Sequence, residues 1–230
     1  MKHTLHNTMT KAEYIFGICY LVAQQFLIPW LLVLGAVWLK LPPSDLWLNF
    51  AFFALNFLVV CVAFSRYLGK NLRTLGKNIL PVLGYGAAGF LLYWSANVLV
   101  SLFIAIYFPG FANANDVNIQ TMASEQYPIM FIGSVLLVPL VEETLYRGVV
   151  FGFIYRYSRV AAYAATTLLF AFVHVVGYMG SLSPAYLLVS ILQYVPAGLC
   201  LSWAYARTNT IFTPILIHTA VNLIGMLAMR

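Results

Sequence analysis

The chain has 230 residues, of which 63% are hydrophobic and only 8% charged, and its mean hydropathy is +0.89. A domain surrounded by water carries roughly a quarter of its residues as charges, so this balance excludes a soluble fold and requires an outer surface that meets lipid. The net charge of +6 comes from residues such as Lys40, Arg66, Lys70, Arg73, Lys77, Arg156, Arg159 and Arg207, at or near the ends of apolar stretches; such placement sets membrane topology and excludes nucleic acid as a partner.

A polar leader containing Lys2, His3, His6 and Lys11 runs into a long apolar span near Tyr14. This reads as a retained first helix rather than a cleaved signal peptide, and no role is assigned to His3 or His6. Apolar segments follow at 14–39, 46–65, 79–107, 129–154, 160–177, 184–205 and 211–229. Most reach the roughly 20 residues that cross a hydrocarbon core; the fifth and seventh are marginal, and the third is long enough to tilt or break. The expectation is an all-α polytopic membrane protein with about seven transmembrane helices (six to eight), forming a single domain over 1–230. Cys19, Cys61 and Cys200 lie inside apolar stretches without metal-ligand spacing and read as packing residues.

The connection 66–78 carries four basic residues and no acid, whereas 108–128 carries Asp116 and Glu125 and no Lys or Arg. The first should be cytoplasmic and the second outside, with the N-terminus and the turns at Arg156–Arg159 and Arg207 also inside. Gln24, Gln25, Asn49, Asn56 and Asn97 are expected to be hydrogen-bonders between helices.

Two acids are adjacent in the fourth segment, Glu142-Glu143, followed by Arg147. Ionised groups within a span turn toward partners or a water-filled cavity. Glu143 and Arg147 are four residues apart and share a helix face, while Glu142 points about 100° away. His174 lies deep in the fifth segment one turn after Phe170, and His218 lies in the seventh one turn before Asn222. Counted from the arginine turns, Glu142, His174 and Asn222 all lie roughly 21–22 Å deep and His218 roughly 16 Å, a common level nearer the outer ends of the helices.

Such a set suits hydrolysis. A carboxylate and an imidazole can deprotonate and orient a water, and an imidazole with a carboxamide can hold an oxyanion. Glu142, His174 and His218 can equally be zinc ligands. Taken singly, these residues fit structural hydrogen bonding as well as function. A non-enzymatic immunity or scaffold protein and a proton-coupled carrier using the same groups as a relay are the alternatives.

The residues resemble the CPBP family, the CAAX-protease and bacteriocin-processing group that includes the Rce1-type prenyl-protein endopeptidases. Its pattern EExxxR, FxxxH, HxxxN appears in order as Glu142-Glu143 with Arg147, Phe170 with His174, and His218 with Asn222. The likeness covers the C-terminal hundred or so residues (129–230). It implies an intramembrane endopeptidase in which Glu142 and His174 activate water, His218 and Asn222 form the oxyanion site, and Glu143 with Arg147 holds the fourth helix. No cofactor is required on that reading, with zinc the variant. It further implies membrane lipid and a peptide or membrane-associated protein substrate (CAAX-like, pheromone or bacteriocin-type) as partners, and a bacterial plasma membrane as the location.

Overall fold

The computed structural model describes residues 5–41 and 44–230; Lys2 and His3 lie outside the described residues. These residues form nine helices and no sheet: α1 Lys11–Trp38, α2 Asp45–Ala63, α3 Ser65–Lys77, α4 Ile79–Tyr107, α5 Ala114–Glu125, α6 Tyr127–Tyr155, α7 Arg159–Val175, α8 Pro184–Thr208 and α9 Phe212–Ala228. Six have the length and apolarity to cross a bilayer: α1, α2, α4, α6, α7 (with the turn to Tyr178) and α8. The seventh expected span, α9, is apolar but has only 17 residues. The protein is therefore an all-α integral membrane protein. Large apolar side chains such as Phe26, Trp38, Val62, Leu80 and Leu99 stand exposed, which is stable only against lipid.

Two stretches expected as connections are helical. In α3 the residues Arg66, Lys70, Arg73 and Lys77 form one stripe, and Tyr67 and Asn71 are buried on the other face. A helix with this division lies along a membrane surface. Asn71 secures it by accepting the Ile211 N–H (2.8 Å) and taking the Thr210 hydroxyl on its own carbonyl (2.9 Å). At the opposite end of the bundle, α5 begins at Asn113, whose side chain accepts the Asn115 N–H. The third span, α4, is unbroken over 29 residues.

The chain order puts α3, the start of α1, the 156–158 turn and the 209–211 turn at one end of the bundle. That end holds Lys11, Arg66, Lys70, Arg73, Lys77, Arg156, Arg159 and Arg207. The tail joins it there: the His6 N–H donates to Asn209 (2.8 Å), Asn7 to the Gly148 carbonyl (2.6 Å) and Arg66 to the Thr8 carbonyl (2.7 Å). The other end carries Lys40, Asp45, Asp116, Glu125 and Arg230.

α6 is not a plain α-helix. It is wound as π-helix over Ile132–Leu137 and Glu143–Phe151, with α-helical turns at Val138–Glu142 and Gly152–Tyr155. Pro139 has no N–H to donate to the preceding turn, a usual origin of helix irregularity, and π turns occur often at functional sites. The junction between the two windings falls at the acidic pair, with Glu142 closing the α-helical turn and Glu143 opening the π segment.

Helices α7 and α8 lie close together at Gly198, where an added Cβ would stand 2.8 Å from the Thr167 Cα. Backbone cannot yield as a side-chain tip does, so Gly198→Val should destabilise the protein by about 1–3 kcal/mol. A lowered thermal midpoint in detergent, relative to wild type, is the check.

Candidate active site

The middle of α6 supplies the charged groups. Glu143 and Arg147 have no solvent exposure and pair at 2.8 Å. Their partners come from three other helices. The second Arg147 nitrogen donates to the Ala197 carbonyl on α8 (3.2 Å), and its guanidinium lies 4.4 Å over the Phe170 ring on α7. The Glu143 Oε1 that meets Arg147 also meets His218 Nδ1 on α9 at 2.8 Å. The expected intrahelical pair is therefore a post joining α6 to α7, α8 and α9.

These contacts assign the imidazole protons. The Phe170 carbonyl can only accept, so His174 Nδ1, 2.7 Å away, is the N–H and Nε2 carries the lone pair in the neutral ring. His218 Nδ1 likewise donates to the carboxylate of Glu143. Both rings direct Nε2 toward Glu142: His174 Nε2 lies 3.9 Å from Oε1 and His218 Nε2 4.0 Å from Oε2. Each gap has the width that one water spans with hydrogen bonds of about 2.8 Å. Glu142 Oε2 is buried and has no hydrogen-bond partner in the protein, the condition in which a buried polar atom calls for a small guest.

Asn222 lines the same cavity, and its amide donates to the Ser134 carbonyl at 2.8 Å, where α6 is π-helical. One N–H is thereby committed to orientation and the second is left for a ligand. All four residues singled out as reactive, Glu142, His174, His218 and Asn222, line one cavity of about 660 Å³. Phe170 sits beneath them, edge-on to Tyr146 and to His218.

Two carboxylate–imidazole approaches also recommend a test for zinc, since the donor types suit that ion. Bonds of about 2.0 Å in a tetrahedral site separate ligand atoms by about 3.3 Å, less than the 3.9 and 4.0 Å found here. Among the described residues, no three His, Cys, Asp or Glu are spaced to hold a metal ion. The donor atoms as placed stand wider apart than bound zinc would hold them, and no step below passes through a metal.

Some lining residues carry no motif. Tyr194 on α8 stacks on His174 with ring centroids 4.4 Å apart, and Gln193 accepts from Asn113 at 2.6 Å. Neither lies at a helix-face spacing from a charged residue, so periodicity gave no signal for them. Of the amides expected to join helices, Asn56 does so by accepting the Tyr20 hydroxyl (2.7 Å). Gln25 also does so, through the Tyr146 hydroxyl on α6; among the described residues Asn49 bonds only within its own helix, to Asp45, and Gln24 and Asn97 line the cavity.

Residues 124–224 match the family model described as type II CAAX prenyl endopeptidase Rce1-like. That stretch is somewhat under half of the chain, and over it the sequence is similar to that family. The same likeness extends to "Putative membrane peptidase YdiL" of Bacillus subtilis (strain 168), 25% identical over 164 residues that cover 66% of this chain and 62% of that protein. "UPF0177 protein YxdF" of Lactococcus lactis subsp. lactis (strain IL1403) is 33% identical over 95 residues, 41% of this chain and 47% of that one. The chain thus spans less than two thirds of the length of either relative. No solved structure is matched. The Rce1-like stretch contains every residue of the post and of the carboxylate–imidazole group.

The post predicts an asymmetric response to mutation. Arg147→Ala leaves Glu143 buried with only His218, and breaking a buried pair in this way costs about 3–5 kcal/mol. Arg147→Ala should therefore lower the thermal midpoint far more than truncation of Arg66, whose partner Glu13 lies beside a half-exposed guanidinium. Equal shifts in the two melts would show that the post carries no special share of stability.

Proposed function

We propose that the protein is an intramembrane endopeptidase that hydrolyses a peptide bond with water activated by Glu142 and His174. The observation that carries this reading is the convergence of two Nε2 atoms on a carboxylate whose Oε2 is buried and unpartnered, inside a cavity of about 660 Å³. The Rce1-like match over the same residues supports it.

In the proposed reaction a water sits between Glu142 and His174 Nε2, with its hydrogens directed to the two acceptors. Glu142 takes one proton as the water oxygen bonds to the substrate carbonyl carbon. The carbonyl electron pair moves onto oxygen, where the free Asn222 N–H and, in the doubly protonated ring, His218 Nε2–H stabilise it. Glu143 accepts the other His218 proton throughout and fixes the ring's direction. When the C–N bond breaks, the proton held by Glu142 passes to the departing amine nitrogen. A hydrophobic plug of Leu145, Tyr146, Val149, Phe151, Tyr67, Tyr205 and Ile211, all at most 1% exposed, closes the cavity toward the basic end of the bundle.

The charge asymmetry of the two ends supports a cytoplasmic N-terminus in a bacterial plasma membrane by the positive-inside rule. On that orientation the cavity, which is lined by α5 and not by α3, faces the outside. Exported peptides of the pheromone or bacteriocin type then suit the site better than prenylated CAAX proteins presented from the cytosol.

Purified protein in detergent should cleave members of a fluorogenic peptide library. Glu142→Gln should lower kcat/KM by about a hundredfold or more with an unchanged melt, and a chelator should leave the wild-type rate unaltered. Loss on chelation with recovery on added zinc would replace the proposed water activation by a metal. Equal rates from wild type and Glu142→Gln, or no cleavage across the library, would leave the scaffold or immunity reading instead.

A further inference from the structure

The walls of the cavity are unusual for a site within a membrane. Carboxamides project into it from six helices: Gln24 on α1, Asn56 on α2, Asn97 on α4, Asn115 on α5, Gln193 on α8 and Asn222 on α9. Polar groups at such depth are retained for substrates or partners. Several are only partly used by the protein. Gln24 is 4% exposed and, like Asn97, makes no side-chain hydrogen bond among the described residues. A carboxamide not otherwise engaged offers both donors and an acceptor, which is what an extended peptide backbone requires along its length.

No Lys or Arg lines the cavity, and its acids are Glu142 and Asp116. Asp116 lies in α5, which crosses the mouth and is pinned by the Asn113–Gln193 bond (2.6 Å) and the longer Tyr194–Asn113 contact (3.5 Å). Asp116 is exposed and stands near enough to Tyr93 on α4, His174 on α7 and Tyr194 on α8 to interact with them electrostatically. Desolvation raises the Asp116 pKa, against the nearby His174, which lowers it. Among the described residues, Asp116 has no hydrogen bond or ion pair through its side chain. A carboxylate at the rim of a cavity lined by no Lys or Arg focuses a potential that attracts positive charge.

We infer that the cavity binds an extended, unlipidated peptide segment and that Asp116 selects a Lys or Arg side chain of that segment close to the cleaved bond. This rests on the endopeptidase reading for the term "cleaved" but not for binding. The amides hold the backbone, the rim acid reads one side chain, and Glu142 lines the same cavity.

The test uses the full chain in detergent with internally quenched peptides in which Lys, Ala or Glu is stepped through the positions flanking the cut. Wild type should cut the best Lys peptide about tenfold faster in kcat/KM than its Glu counterpart. Asp116→Asn should bring that ratio close to one, Asp116→Lys should invert it, and Asp116→Glu should keep it. A ratio is unaffected by the folded fraction of a variant. An unchanged ratio in Asp116→Asn overturns the inference. So does an equal fall on every peptide, which would make Asp116 a group acting through His174. Binding of a fluorescein-labelled Lys peptide to Glu142→Gln, read by anisotropy, separates this from the endopeptidase reading. Asp116-dependent binding without any cleavage in wild type would sustain the inference and sink the protease. Cleavage without charge preference would do the reverse, and absence of both would sink both.

Discussion

A guanidinium that no solvent reaches must be neutralised and hydrogen-bonded where it stands, and the arrangement of the C-terminal helices follows from how Arg147 is satisfied. Glu143 supplies the counter-charge, Ala197 a carbonyl and Phe170 a ring face. Each comes from a different turn or helix, so none can shift without leaving buried charge exposed to a low dielectric. The same Glu143 oxygen then fixes His218. Because Phe170 both packs under Arg147 and accepts from His174, the positions of both imidazoles derive from one ion pair. Pre-organisation of this kind matters for catalysis, since donors and acceptors that are already oriented need no rearrangement as charge develops.

The rest of the molecule separates that polar centre from lipid and from one aqueous face. Apolar side chains point outward along α1, α2 and α4. Toward the basic end, Tyr67 of α3 meets Tyr205 of α8 hydroxyl to hydroxyl at 2.9 Å, within a layer of fully buried side chains. Toward the other end, α5 lies across the cavity and supplies polar lining. Access is thereby directional: the polar wall continues outward from Glu142 to Asp116, and the apolar layer lies behind it.

Much of this was legible in the sequence because two strong signals were involved. Lipid-facing surface is paid for in composition, so the spans could be read from hydropathy to within a few residues. Charges in spans are costly, so Glu142, Glu143, Arg147, His174 and His218 stood out, and their depths predicted that they would meet. What stayed hidden has physical causes too. The stripe of Arg66, Lys70, Arg73 and Lys77 in α3 was read as loop charge because its apolar face is short. The π winding of α6 depends on the tertiary partners of its carbonyls, which no local pattern encodes. The link from Glu143 to His218 joins residues 75 apart in the chain, and the roles of Gln24 and Asn97 depend on which face of a uniformly apolar helix turns inward.

The central claim is that Glu142, His174 and His218 surround the reacting centre of a peptide. Its most direct measurement is a high-resolution structure of the protein bound to a peptide in which a tetrahedral phosphinate replaces the cleaved amide. The account predicts one phosphinate oxygen within hydrogen-bond reach of Glu142 and His174 Nε2, and the other near His218 Nε2 and Asn222. A peptide seated elsewhere, or in the cavity with its phosphinate turned away from Glu142, would contradict it.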